Sequence, residues 1–268
     1  MDLPKKLYKY QNFNNYSLSN LKSNQIYFSN PFEFNDPFEF YLRLKKKQLS
    51  DDEYKKIYKR ALNISKCNGN FIEKNGTVDN IKQQFKDELN EKIRSKVDFF
   101  LNATKGAGVC CFSEKFDNLL MWSHYSDGHK GFCLEYDTKI EPFSKPYKVH
   151  YSSITPEIDP VKILLDKSNE IFKRIIKKKS SCWKYEKEWR IFHKESNILF
   201  GCSTDALTGI YFGAKMDMTH IEIITLILRG QNPKTKLYKG ELLNNSYKLD
   251  FKKVNYTPYC EIKDIKKS

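Results

Sequence analysis

The sequence has no glycine-rich phosphate loop: neither Gly-x-x-x-x-Gly-Lys-Ser nor Gly-x-Gly-x-x-Gly occurs among its 11 glycines, which argues against the common ATPase and dinucleotide-binding architectures. A Gly-x-Ser-x-Gly nucleophile elbow is missing too. No Cys-x-x-Cys pair occurs, and the seven cysteines (Cys67, Cys110, Cys111, Cys133, Cys182, Cys202 and Cys260) are odd in number and scattered. A zinc ribbon and a disulfide framework are therefore unsupported, and reduced, mostly buried thiols are expected. No apolar run approaches the ~18–20 residues of a membrane span. The opening Met1-Asp-Leu-Pro-Lys-Lys6 has no apolar stretch of signal-peptide type behind its lysines. The expectation is a cytoplasmic protein with no membrane partner.

Against these absences stand 268 residues of which 40% are hydrophobic and 15% aromatic, enough for a folded core. The net charge is +14, a field that attracts anions and points to an anionic acceptor or ligand, DNA or RNA among them. Much of it lies in lysine runs such as Lys45–Lys47, Lys177–Lys179 and Lys266–Lys267. No zinc-finger spacing or RNP-type aromatic motif accompanies the charge, so reading of base sequence is not expected. The Lys177–Lys179 run reads either as the edge of a nucleic-acid footprint or as a solvated helix end.

Hydrophobic periodicity predicts a single α+β domain over residues 1–268. Strands are expected at 7–10, 25–29, 108–113, 132–136, 148–151 and 210–213. Helices are expected at 15–22, 118–125 and 161–179, and the run 218–228 fits either state. Charged helical character over 48–104, opened by the capping box Ser50-Asp-Asp-Glu53 and carrying Val78, Ile81, Phe85, Leu89, Ile93 and Val97 at helical spacing, marks a helical insertion. Residues 235–268 read as a C-terminal hairpin and tail turning at Asn244-Asn245.

Three polar clusters carry the candidate chemistry. Asn35, Asp36 and Glu39 sit in the proline-flanked turn Asn30 to Glu39, whose phenylalanines are expected to pack and fix it. His124 and His129 lie five apart across a glycine-containing turn, a spacing that is not the metal-binding His-x-x-x-His, so they are read as shaping a loop. In Ser181 to Phe192, strand alternation puts Trp183, Tyr185, Trp189 and Ile191 on one face and Glu186, Glu188 and Arg190 on the other. Two carboxylates and a guanidinium side by side have the makings of a site.

The segments Leu7-Tyr-Lys-Tyr10, Ile26-Tyr-Phe-Ser-Asn-Pro31, Phe34-Asn-Asp-Pro-Phe-Glu39, Cys111-Phe-Ser-Glu114, Leu120-Met-Trp-Ser-His-Tyr125, His129-Lys-Gly-Phe132 and Tyr185-Glu-Lys-Glu-Trp-Arg190 together resemble the bacterial family catalogued as domain of unknown function 2971. That name carries no activity. More loosely, Lys9 with Tyr10, Phe112 with Ser113, and Glu186 with Glu188 resemble the three-part signature of toxin-type ADP-ribosyltransferases. The second resemblance implies mixed or antiparallel sheets forming a central cleft, NAD as substrate, Glu188, Glu186 and Ser113 as catalytic residues, and Lys9, Tyr10, Phe112, Asn35, Asp36, His124 and Arg190 around the cofactor, with no metal. It expects Glu188 to face Lys9 and Ser113, and expects Glu188→Gln to lower turnover with little change in stability. Lys9 departs from the arginine or histidine usual there, and the middle motif lacks the Ser-Thr-Ser form. The alternatives are a metal-dependent nuclease or phosphodiesterase using Asp36, His124, His129 and Glu188, or a non-catalytic nucleotide or nucleic-acid sensor in a defence system.

Overall fold

The computed structural model describes residues 3–41, 43–45, 90–99, 106–159 and 170–257, with residues 50, 53, 87, 102 and 162. Its frame is one eight-stranded mixed sheet, so the protein is α+β. The strands are β1 (Lys6–Gln11), β4 (Gly108–Ser113), β5 (Phe132–Asp137), β6 (Tyr147–Lys148), β10 (Glu188–His193), β12 (Leu207–Phe212), β13 (Lys236–Leu242) and β14 (Leu249–Val254). They lie in the order β14-β13-β12-β5-β1-β4-β10-β6. All neighbours are antiparallel except β12 and β13. A parallel pair needs a crossover, which residues 218–231 supply as a helix. That run, ambiguous in sequence, is capped by Asp217 accepting from Thr219 N at 2.8 Å.

Smaller two-stranded sheets pair β2 (Gln25–Phe28) with β11 (Ile198–Gly201), β3 (Arg43–Leu44) with β8 (Glu157–Ile158), and β7 (His150–Ser152) with β9 (Lys178–Ser180). The helices are α1 (Asn15–Lys22), α2 (Leu119–Tyr125), α3 (Glu170–Ile176) and α4 (Met218–Gln231), and residues 90–99 are also helical. Asn14 caps α1 by accepting from Ser17 N at 2.9 Å, and Asn118 caps α2. Of the insertion expected over 48–104, the Ser50–Glu53 capping box is present, and Ile93 is buried. Val78, Ile81, Phe85 and Leu89 lie outside the described residues.

Period-two alternation divides the sheet into two unlike faces. Leu7, Phe112, Phe132, Leu134, Trp189 and Ile210 enter the main core with Leu21 of α1 and Ile221, Ile224 and Leu228 of α4. Tyr8, Tyr10, Cys133 and Tyr211 pack on the other face with Met121 and Trp122 of α2. At the β4–β10 end of that second face a small cluster gathers Val109, Phe40, Ile175 and Ile176. The candidate site grows beside it.

The structure corrects three expectations. Residues 181–186 form a 3-10 helix, not a strand: Ser180 caps it by accepting from Cys182 N, and Lys187 ends it in the left-handed region at φ 48°. The extended segment begins only at Glu188. The helix expected through Lys179 stops at Ile176, and Lys178–Ser180 is a strand. The strand expected at 148–151 is split at Val149 between two sheets.

Candidate functional site

Local turns bring the first and third polar clusters together. Asp36 Oδ1 accepts from Phe38 N at 2.9 Å, and Glu39 N donates to the Asp36 carbonyl at 3.0 Å, a tight turn that presents Glu39. The phenylalanines expected to fix this turn do so only in part, since Phe34 packs half-buried against the Phe40 cluster while Phe32 and Phe38 are exposed. On β10, Glu188 and Arg190 are two residues apart and share a face. Arg190 Nε and one terminal nitrogen donate to the two Glu188 oxygens at 2.7 and 2.9 Å, a bidentate pair. The guanidinium also donates to the Ile176 carbonyl at 3.0 Å and lies 2.7 Å from Glu39 Oε1.

Glu186 arrives from the 3-10 turn. The Lys179 ammonium of β9 joins the cluster at 2.6 Å from Glu186, 3.3 Å from Glu188 and 3.7 Å from Glu39. Tyr125 Oη donates to Glu186 Oε1 at 2.6 Å, and Ser113 Oγ donates to the Glu186 carbonyl at 2.6 Å. Tyr151 Oη accepts from Glu188 N at 2.8 Å. All five charged side chains are at most 7% exposed. The cluster is thus sealed and does not line an open cleft.

Three carboxylates against two cations leave one excess negative charge in a dry place. Burial would push Glu188 up, but Arg190 and then Lys179 outweigh it and hold the carboxyl down at about 2. For Glu186 burial wins over Lys179, aided by the Glu188 charge, and its pKa is raised. Glu39 is raised by burial in spite of Arg190 and Lys179. Lys179 itself stays protonated, because its carboxylates more than offset the cost of burial. Burial and the neighbouring Glu188 charge push the Cys111 thiol well up, so it stands neutral beside that carboxylate. Burial thus favours relieving the excess charge by proton uptake at Glu186 or Glu39, while Arg190 and Lys179 hold Glu188 in its ionised form.

The remaining sequence candidates lie elsewhere. Register pairs Tyr8 with Ser113 and Ser113 with Glu188, so Ser113 and Glu188 share a sheet face. Lys9, one residue on, falls on the opposite face, where its ammonium sits 5.4 Å from the centre of the Phe112 ring. The expected facing of Lys9 and Glu188 is absent. Phe112 is packed edge-on against Tyr136 and Phe143, and Tyr10 lies edge-on to Trp122 with its hydroxyl on the Lys115 carbonyl at 2.9 Å. These rings are core residues without a free stacking face. Asn35 is exposed.

His124 is exposed near Tyr185. His129 works through its backbone: its N–H donates to the Trp122 carbonyl at 3.2 Å, and its carbonyl accepts from Lys215 N at 3.0 Å. Gly213 crosses it so closely that an added Cβ would lie 2.1 Å from the His129 oxygen. Gly213→Ala should therefore cost about 2 kcal/mol, readable as a lower midpoint in urea unfolding with unchanged slope. Among the described residues no group of three or more His, Cys, Asp or Glu is placed to hold a metal ion, so Asp36, His124, His129 and Glu188 do not form one.

Sequence reasoning missed Lys179, Tyr125, Tyr151 and Cys111. Lys179 was hidden in a charge run, and Lys177 is likewise engaged, with its ammonium 4.5 Å from the Tyr147 ring centre. That run is no solvated helix end. Tyr125 and Cys111 carried a signal, as the last residue of the Met-Trp-x-His-Tyr motif and the first of Cys111-Phe-Ser-Glu114.

These features define an α+β protein with a buried, hydrogen-bonded ion cluster at one end of a mixed sheet. A family model described as "Protein of unknown function (DUF2971)" matches residues 121–191, which hold six of the cluster's polar side chains, from Tyr125 through Arg190. The match supports the resemblance to that family over those residues. No curated protein and no solved structure matches the chain. Among the described residues, no helix is long and apolar enough to cross a membrane.

Proposed function

We propose that the chain is an NAD-consuming enzyme of the ADP-ribosyltransferase kind, a toxin or anti-phage effector acting on nucleic acid or protein, with Glu188 as its catalytic carboxylate. The observation that carries this reading is the pair Glu186 and Glu188, which share the Lys179 ammonium yet are driven toward opposite protonation states. Carboxylates pushed apart by their surroundings can divide acid–base and electrostatic roles. Ionised Glu188 stabilises the oxocarbenium-like ribose as the bond from its anomeric carbon to nicotinamide breaks and nicotinamide leaves with the electron pair. Glu186, in its ionised form a stronger base than an ordinary carboxylate, takes the proton of the acceptor as the acceptor attacks that carbon. Substrate reaches the pair only when Lys179 or Tyr125 moves aside. Lys9, Tyr10 and Phe112 then support the sheet and do not touch NAD.

A second reading, a non-catalytic nucleotide-binding protein, is favoured by the burial of the same cluster, since a sealed ion network can serve to fix shape alone. Nicotinamide release with protein, DNA and RNA acceptors separates the two. Glu188→Gln, assayed at a temperature where it is folded, should reduce release at least about 100-fold, equivalent to ~3 kcal/mol of transition-state stabilisation. Absence of release by the wild-type protein with every acceptor would sink the transferase reading.

A further inference from the structure

Beside the sealed cluster, on the other side of the 185–187 turn, lies a partly open cavity of about 440 Å³. Its lining includes the three lysines Lys115, Lys187 and Lys248, the single acid Asp117, the amide of Asn118 and the ring of Tyr185. All three lysines are exposed. None of their ammonium groups has a hydrogen-bond or ion-pair partner among the described residues, unlike Lys148 on Glu114 or Lys252 on Glu241. Three lysines and one acid among the lining residues leave an excess of positive charge at a concave site, which focuses potential there even though Glu114 feels the Lys187 charge.

Two further observations favour a phosphate-bearing ligand over incidental surface charge. Lys187, a lining residue, has a left-handed backbone, φ 48° and ψ 48°, where glycine or asparagine would be less strained. Neighbouring positions are held firmly: Asn118 Nδ2 donates to the Tyr185 carbonyl at 3.0 Å, and the Lys115 N–H donates to Ser113 Oγ at 3.1 Å. The lysines therefore project from a fixed rim. Tyr185 adds an aromatic surface, and the volume falls within the roughly 300–1,000 Å³ usual for small-ligand sites.

We infer that this cavity binds the phosphates of a nucleotide, with the base beside Tyr185. The phosphates come either from a free nucleotide or from a nucleic-acid strand, since the recognising chemistry is the same. The inference stands apart from NAD turnover, because none of these residues belongs to the proposed catalytic pair.

Isothermal titration of the full chain with ADP, ATP, adenosine, inorganic pyrophosphate and a short single-stranded oligonucleotide, at low and physiological salt, provides the test. ADP and ATP should bind at least about tenfold more tightly than adenosine. Lys187→Gln and Lys248→Gln should each weaken binding about tenfold while leaving the melting temperature unchanged. An oligonucleotide binding more tightly than ATP, with a steep salt dependence, identifies strand phosphates as the source. ATP binding more tightly than the oligonucleotide identifies a free nucleotide. The inference is overturned if no phosphate compound binds at low salt, or if binding survives intact in the triple variant Lys115→Gln/Lys187→Gln/Lys248→Gln.

Discussion

Arg190→Met should lower the thermal midpoint by roughly 10 °C, the equivalent of about 4 kcal/mol. The guanidinium is fully buried and serves both oxygens of Glu188, Glu39 and the Ile176 carbonyl. Removing it leaves Lys179 as the sole cation for three buried carboxylates and strips a carbonyl of its donor. Protonation of the carboxylates will absorb part of the penalty, so the loss should grow as pH rises from about 5 to 8. Lysine at this position cannot form the bidentate fork, and Arg190→Lys should recover less than half of the loss. The double variant Arg190→Met/Glu188→Leu should be more stable than Arg190→Met alone, because it removes the stranded charge along with its partner. Differential scanning calorimetry reads all three. A shift below about 2 °C for Arg190→Met would mean the ion pairs add nothing to the fold. The same bidentate contact revises the expectation for Glu188→Gln, which should also destabilise, because it leaves Arg190 buried beside a neutral amide.

Elements whose pattern answers to local rules were legible in the sequence. Strands β1, β4, β5 and β12 alternate or run apolar, α1 follows a capping asparagine, and β13 and β14 flank a two-asparagine turn. Each of these depends on neighbours within a few residues. The reading of residues 181–192 failed because Trp183, Tyr185, Trp189 and Ile191 mimic a period of two across a break. The Ser180 cap and the left-handed Lys187 interrupt the alternation and turn residues 181–186 into a helix. Glu186 nevertheless meets Glu188, through Lys179 and not through strand geometry. A buried lysine has no signature in composition, since its burial rests on partners 7 and 9 residues later and, in Glu39, far earlier. For the same reason β9, made of two lysines and a serine, could not be expected from propensity: its pairing with β7 and the ion cluster hold it in place. Lys9 was misplaced by one residue of register, which in a strand transfers a side chain to the opposite face.

The two protonation tendencies within the cluster should give stability a maximum on the acid side of neutrality. Glu188 has its pKa depressed from 4.5 to about 2 in the folded state. Its contribution, about 3 kcal/mol, is fully present above about pH 4.5 and disappears as pH falls through 2. Glu186 and Glu39 are shifted upward, so the folded state binds a proton more tightly than the unfolded chain does. Their contribution is fully present below about pH 4.5 and is lost as pH rises through their folded values. Stability should therefore fall on both sides of a maximum near pH 5. Glu186→Gln supplies a neutral side chain of the same shape, and it should flatten the limb above the maximum while leaving the acid limb in place. Repulsion from the +14 surface adds to the acid loss but is screened by salt. At about 0.5 M sodium chloride the acid limb should therefore persist, because the Glu188–Arg190 pair is sealed from solvent. Urea unfolding at half-unit steps from pH 3 to pH 8, in low and high salt, measures each limb. A wild-type profile that climbs without a break from pH 5 to pH 8 would show that the cluster carries its excess negative charge unprotonated and that Lys179 and Arg190 suffice for all three carboxylates.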